Sequence, residues 1–219
     1  MASHTEENYL KTLLALSGEK ESVSLSDLSH DLNVKLPTAN SMVKNLKNQG
    51  LVNYEKYKPL SLTPKGRRSA ALILRKHRLT EMFLTTVMGF GWEEVHAIAE
   101  QVEHIDSPVF FDKMDEMLGS PKTDPHGSPI PDKKGYMVHP AFVPLSECKA
   151  GQTVIISAML NDSAEFLMLL NSKQLSLGTE ISIDSIEAFD RSITISYNEL
   201  NNITLSEKVS QQILVTVIK

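Results

Sequence analysis

Residues 35–52 read KLPTANSMVKNLKNQGLV, and this stretch decides how the first third of the chain folds. Met42, Val43 and Leu46 are spaced to line the inner face of a helix. Pro37 suits a first helical position, where its missing N–H costs nothing. Gly50 stands where a helix ends in left-handed backbone. Just before this stretch, SLSDLSHDLNV (24–34) carries Leu28, Leu32 and Val34 around a second short helix, with Ser26 as its expected N-cap. Two short helices joined by a tight turn make a helix-turn-helix. Upstream, TEENYLKTLLALS (5–17) repeats Tyr9, Leu10, Leu13, Leu14 and Leu16 with helical period. Downstream, LVNYEKYKPLSLT (51–63) is strand-prone on both sides of a Lys-Pro turn, which predicts a two-stranded wing with a basic tip.

Charge agrees with that reading. The chain carries a net charge of −5, yet residues 35–78 are rich in Lys and Arg against the single acid Glu55. A basic first third on an acidic chain points to a polyanionic partner. A winged helix puts its second helix in the major groove of double-stranded DNA, N-terminal residues toward base edges. Pro37, Thr38, Asn40 and Ser41 occupy that end, and Lys44 is one turn further along, within reach of a phosphate or a guanine. Tyr57 and Lys58 at the wing tip suit the DNA backbone.

The chain has 219 residues, 41% hydrophobic and 22% charged, which supports more than one small core. No run of about 18 apolar residues occurs, so no membrane helix is expected. The first residues, MASHTEENYLKT, lack the apolar stretch of a signal peptide. Cys148 is the only cysteine, which excludes an internal disulfide and a zinc ribbon, and a cytoplasmic location is expected.

A second pattern follows the winged helix. Residues 65–84 read as one long helix, ended by Gly89 and Gly91; Trp92–Ile105 is expected to resume helix, and DSPVFFDKMDEMLG (106–119) to give a third. His77 and Glu81 are one turn apart, as are His96 and Glu100, and Glu100 and His104, with Glu103 between the last two. Imidazoles and carboxylates at such spacing suit a divalent transition metal, because helical ligands have little chain entropy left to lose. TDPHGSPIP (123–131) adds Asp124 and His126 in a Pro-ordered loop. Two other classes stand as rivals. A hydrolytic metalloenzyme needs an open metal position and a base, and neither HExxH nor a nucleophile with its base occurs. A winged-helix protein with a purely structural acidic helix would bind DNA even after chelation.

Together ENYLKTLLAL, LPTANSMVKNLKNQGLV, YKPLSLTPKGRRSA, KHRLTEMFL, VHAIAEQVEH and DPHGSPIP resemble the metal-dependent repressors of the diphtheria-toxin-repressor and manganese-transport-regulator group, in that group's order and spacing. The remainder, with a Lys149–Gly151 turn, strands around ISIDSIEA and SITISY and a closing QILVTVIK, resembles the small SH3-like β-barrel of its longer members. The resemblance implies a mainly helical chain with added β structure: a winged-helix domain over 1–72, a helical metal-binding and dimerisation domain over 73–142, and the barrel over 143–219.

It also implies two metal sites per protomer. Glu100, Glu103 and His104 occupy ligand positions of the regulatory site, and Asn8 stands where the family usually has Asp or Met. Glu100 replaces the Cys of iron-responsive members, and oxygen ligands suit Mn(II), so Mn(II) is preferred over Fe(II). The second site would use His77, Glu81 and His96, or His77, Glu81, Asp124 and His126; Asp162 and Glu165 stand where the barrel donates further ligands. A homodimer is implied, through apolar faces around Val109, Phe110, Phe111, Met114 and Met117, binding a palindromic operator and controlling metal-uptake genes.

Overall fold

The computed structural model describes residues 3–18, 22–138 and 140–218. The chain divides into two compact units: Met1–Thr80 with Ala99–Lys122 and Ile130–Val138, and Glu81–Ile98 with Thr123–Pro129 and His139–Lys219.

The first unit begins with α1 (His4–Ser17), α2 (Leu25–Asp31) and α3 (Leu36–Asn48). Ser3 caps α1 in a reciprocal box with Glu6, so two otherwise orphan donors are satisfied. The expected cap of α2 moves by two residues. Ser24, not Ser26, adopts extended backbone and accepts from the Asp27 N–H, because the helix already starts at Leu25. Pro37 lies in the first turn of α3, and Gly50 takes φ +71° just beyond its end. The wing is β1 (Val52–Asn53) and β2 (Ser61–Leu62), antiparallel, with Val52 opposite Leu62. Leu10, Leu13, Leu28, Leu46 and Leu60 are almost wholly buried in one core with Val43 and Val52. Each such side chain contributes about 1.5–3 kcal/mol on burial.

α4 (Pro64–Thr86) is the long helix, continuous through His77 and Glu81. Its start is pinned by Gly66, where a Cβ would meet the Leu51 carbonyl oxygen at 1.9 Å. The helix expected over Trp92–Ile105 is shorter: α5 runs His96–Val102. Residues 92–94 form a turn instead, because the Glu94 side chain accepts from the Gly91 N–H and its own N–H bonds the Gly91 carbonyl. α6 (Pro108–Met117) starts at the Ser107 cap. Arg75, Asp115 and Pro131 tie this unit together: the guanidinium is 2.9 Å from the carboxylate and donates to the Pro131 carbonyl at 2.7 Å.

The second unit is built on a six-stranded antiparallel sheet of order β3-β8-β4-β5-β6-β7. Its elements are β3 (Val143–Pro144), β4 (Thr153–Met159), α7 (Ala164–Ser172), β5 (Glu180–Ile186), β6 (Ile193–Tyr197), β7 (Leu200–Leu205), α8 (Glu207–Ser210) and β8 (Ile213–Val217). Alternation decides the inner face: Val154, Ile156 and Ala158 of β4 are buried, as are Ile181 and Ile183 of β5 and Ile193 and Ile195 of β6. Leu167 and Leu170 of α7 close that core. Lys219, the last residue of the expected closing strand, lies outside the described residues.

Candidate metal centre

The first group of candidate ligands lies in the first unit, where α1, α4 and α5 carry it. Glu103 just beyond α5 is wholly buried. His77 Nδ1 on α4 is 2.6 Å from its Oε2 and donates to it. Burial alone would raise the Glu103 pKa, but the His77 hydrogen bond and the Lys11 ammonium hold it below the ordinary carboxylate range, so it is an anion. Lys11 on α1 donates to Glu103 Oε2 at 2.9 Å and pairs closely with Glu100 Oε1.

His104 is oriented from α1. Its Nδ1 is 2.6 Å from Glu7 Oε2, and a carboxylate can only accept, so Nδ1 carries the proton. The remaining nitrogen, Nε2, faces Glu103 Oε1 at 3.7 Å with its lone pair available. A carboxylate that fixes the tautomer of a histidine is what a metal ligand requires of its surroundings. The His4 ring stacks on His104 with centroids 4.5 Å apart.

Two buried acceptors of this group have no hydrogen-bond partner: Asn8 Oδ1 and Glu103 Oε1. Lys11 Nζ is 2.8 Å from that Glu103 oxygen as an ion pair, but its hydrogen bond goes to Oε2. Buried oxygens left unbonded are costly unless a cation completes them. His77, Glu100 and Glu103 offer ligand atoms that all lie within 4.8 Å of one another. The donors fit a divalent cation that favours oxygen and imidazole nitrogen.

The second group lies in the second unit. Glu81, Asp124 and His126 are all buried and also offer atoms within 4.8 Å of one another. His126 Nε2 is 2.9 Å from the Trp92 carbonyl oxygen, to which it must donate. Nδ1 is thus the free nitrogen, 3.8 Å from Glu81 Oε2. Ligands about 2.1 Å from one metal lie roughly 3–4 Å apart, so this gap suits a shared ion. Asp124 Oδ1 accepts from the backbone N–H groups of His126 and Ser128, which shapes the loop. The loop rests on β4: Gly127 has φ +85°, and a Cβ there would meet the Ser157 carbonyl oxygen at 2.2 Å. His96 Nδ1 is 3.4 Å from Glu81 Oε1 and 3.8 Å from Asp162 Oδ2. Glu165 is exposed in the first turn of α7 and joins neither group.

His77 and Glu81 are one turn apart on α4 and paired by spacing in the sequence. In the structure they stay one turn apart on α4; His77 also bonds Glu103, and Glu81 also faces His96 and His126. Spacing also leaves out Glu7 and Lys11. Their one available signal was position: both lie within one turn of Asn8 on α1. The only thiol, Cys148, belongs to the sheet core, and burial and neighbouring Glu147 raise its pKa, so it offers neither group a thiolate.

The DNA-facing candidates form a separate surface of the first unit. Pro37, Thr38, Ser41 and Lys44 are exposed on the first turns of α3. Asn40 is half-buried, its Oδ1 held by the Tyr54 hydroxyl at 2.6 Å. Tyr57 is 91% exposed at the wing tip with φ +68°, beneath the Lys56 ammonium; Lys58 pairs with Glu55 at 2.6 Å. Of the expected dimer face, Val109, Phe110 and Met117 are exposed. Phe111 and Met114 are buried instead, with the Lys76 ammonium over the Phe111 ring.

The chain is similar to known proteins. Residues 1–60 match the family described as iron dependent repressor, N-terminal DNA binding domain; residues 63–132 match its metal binding and dimerisation domain; residues 143–217 match the FeoA domain. The iron-dependent repressor IdeR of Mycobacterium tuberculosis is 35% identical over 159 residues, 69% of each chain. A manganese-dependent transcriptional repressor solved in complex with manganese is 30% identical, with TM-score 0.89 over 97% of this chain and 100% of that one. ScaR with bound Cd2+ is 30% identical, with TM-score 0.83 over 97% and 99%.

Proposed function

The chain belongs to the iron-dependent repressor family and is a metal-dependent, DNA-binding transcriptional repressor rather than an enzyme; from that premise we propose that its effector is Mn(II), sensed at two centres in each protomer. Asn8, Glu100, Glu103 and His104 form the regulatory centre, with His77 beside them. Glu81, His96, Asp124 and His126 form the second, with Asp162 at its edge. The observation that carries this reading is that His77, Glu100 and Glu103 offer ligand atoms all within 4.8 Å of one another, with His77 and Glu103 buried. Mn(II) is preferred to Fe(II) because every candidate donor is oxygen or imidazole nitrogen.

A divalent ion would supply the positive charge that lets these carboxylates and the amide oxygen converge. The chain's own residues pass that on. α1 bears Glu7 and Lys11 toward the α5 region and Glu6 toward α3. Holding α1 against Glu103 and His104 therefore also fixes the helix that presents Thr38, Ser41 and Lys44. In a homodimer joined through Val109, Phe110 and Met117, two such helices would meet successive major grooves of a palindromic operator. Metal-uptake genes are the proposed targets, and the cytoplasm the place of action. No helix among the described residues is long and apolar enough to cross a membrane.

The test is fluorescence anisotropy of a palindromic promoter fragment with chelated protein, titrated with Mn(II) or anaerobic Fe(II). Metal should tighten binding in the wild type and leave Glu103→Gln unresponsive. Equal binding with metal and with chelator would remove the sensing role.

A further inference from the structure

We propose that Lys11 is the regulatory centre's internal counter-cation: its ammonium holds the carboxylates of Glu100 and Glu103 in the metal-free protein and must leave them when a divalent ion binds. This rests on the reading of that centre as a metal site and adds the residue that sets its threshold.

The geometry carries it. Lys11 Nζ lies within 2.9 Å of both Glu103 oxygens and pairs with Glu100 Oε1. These are oxygens a metal ion would take. Glu103 is wholly buried, and only 14% of the Lys11 side chain is exposed. A buried carboxylate without a cation would be strongly destabilising, so Lys11 keeps the centre assembled before metal arrives. A divalent ion and the ammonium would compete for these oxygens, because like charges at such distances repel in a poorly screened site. Lysine is suited to this role, since one charge on a flexible four-carbon stem holds the oxygens without a bidentate lock and swings out by rotamer changes. The ammonium is thus a competitor built into the chain, and metal affinity is what remains after it is displaced.

Brief acylation of lysines, read by peptide mass spectrometry, tests this on the full-length protein with and without Mn(II). Lys11 should react slowly in the metal-free state and several times faster at saturating Mn(II), while exposed Lys35 stays constant. By chelator competition, Lys11→Met should bind Mn(II) about tenfold more tightly, and Lys11→Arg, whose planar fork grips both carboxylates, more weakly than wild type. The opposite signs separate competition from loss of fold, which would weaken both. If Mn(II) binds the wild type and Glu103→Gln weakens it, but Lys11 stays protected or Lys11→Met binds less tightly, the counter-cation role is overturned and the metal site stands. If Glu103→Gln does not change Mn(II) affinity, the metal site itself falls, and this inference with it.

Discussion

The carboxylate of Glu6 on α1 accepts a 2.7 Å hydrogen bond from the side-chain amide of Asn45 on α3. Gln49 donates to the same oxygen at 2.5 Å. The next two residues of α1 are Glu7, which orients His104, and Asn8, whose oxygen is unbonded. One helical turn therefore touches both the candidate metal group and the helix proposed to meet DNA. Glu6→Ala should weaken operator binding about tenfold at saturating Mn(II), while Mn(II) affinity changes far less. Anisotropy and chelator competition on one preparation give both numbers. Equal losses in both would mean that Glu6 only stabilises the fold.

Asn8 offers a neutral oxygen where the resembled family usually has Asp or Met. In the proposed ligand set, Asn8→Asp adds one negative charge and should tighten Mn(II) binding about tenfold, since charge count tunes such sites. The added repulsion should lower the melting temperature of the metal-free protein. A variant with unchanged Mn(II) affinity would take position 8 out of the ligand set.

Gly127→Ala tests the second centre apart from the first. The new methyl would collide with the Ser157 carbonyl oxygen, at backbone that disfavours any side chain. The expected cost is about 2–4 kcal/mol. Spectroscopic titration should show one of two metal-binding steps lost, while the step that Glu103→Gln removes is retained; loss of neither step would take the loop out of the second centre.

Two buried tyrosines should answer differently to removal of their hydroxyls. Tyr197 donates to the Lys173 carbonyl at 2.5 Å, whereas the Tyr9 hydroxyl has no partner. Tyr197→Phe should cost about 1 kcal/mol and Tyr9→Phe almost nothing. Burial raises the Tyr197 pKa above its usual 10.0. A raised folded pKa gives stability that is full below the unfolded value and lost as pH rises through the folded one. Urea unfolding of Tyr197→Phe should therefore show a shallower loss of stability above about pH 10 than wild type.

Val109 is 77% exposed on α6, beside Phe110 and Met117. Val109→Glu places a charge in that apolar face and should give a monomer in sedimentation velocity. Operator affinity should fall with it, because two half-sites would no longer be bound by one assembly. A dimer that survives the substitution would move the interface elsewhere.

How much of the molecule is legible in the sequence depends on the distance along the chain. Helical period in α1, α3 and α4, and alternation in β4, β5 and β6, follow from local spacing, and each element lies where that spacing puts it. The Glu100, Glu103 and His104 cluster is readable for the same reason, since one helix turn brings such residues together. Local rules misjudge ends: the Ser24 cap and the late start of α5 depend on which donor finds an acceptor first.

Pairings across long stretches of chain are out of reach of such rules. Lys11 meets Glu100 across 89 residues, and Glu7 meets His104 across 97. Periodicity along one helix says which face a residue occupies, but not which other helix that face will meet. The sequence alone determined the fold class, the family and the dependence on a divalent metal. Only the tertiary structure decided that His77 bonds Glu103 while Glu81 joins the loop of Asp124 and His126, and that a lysine already occupies the carboxylates. Those assignments follow from packing: a buried charge must find its partner among whatever the folded chain brings within a few ångströms, and no local pattern encodes that encounter.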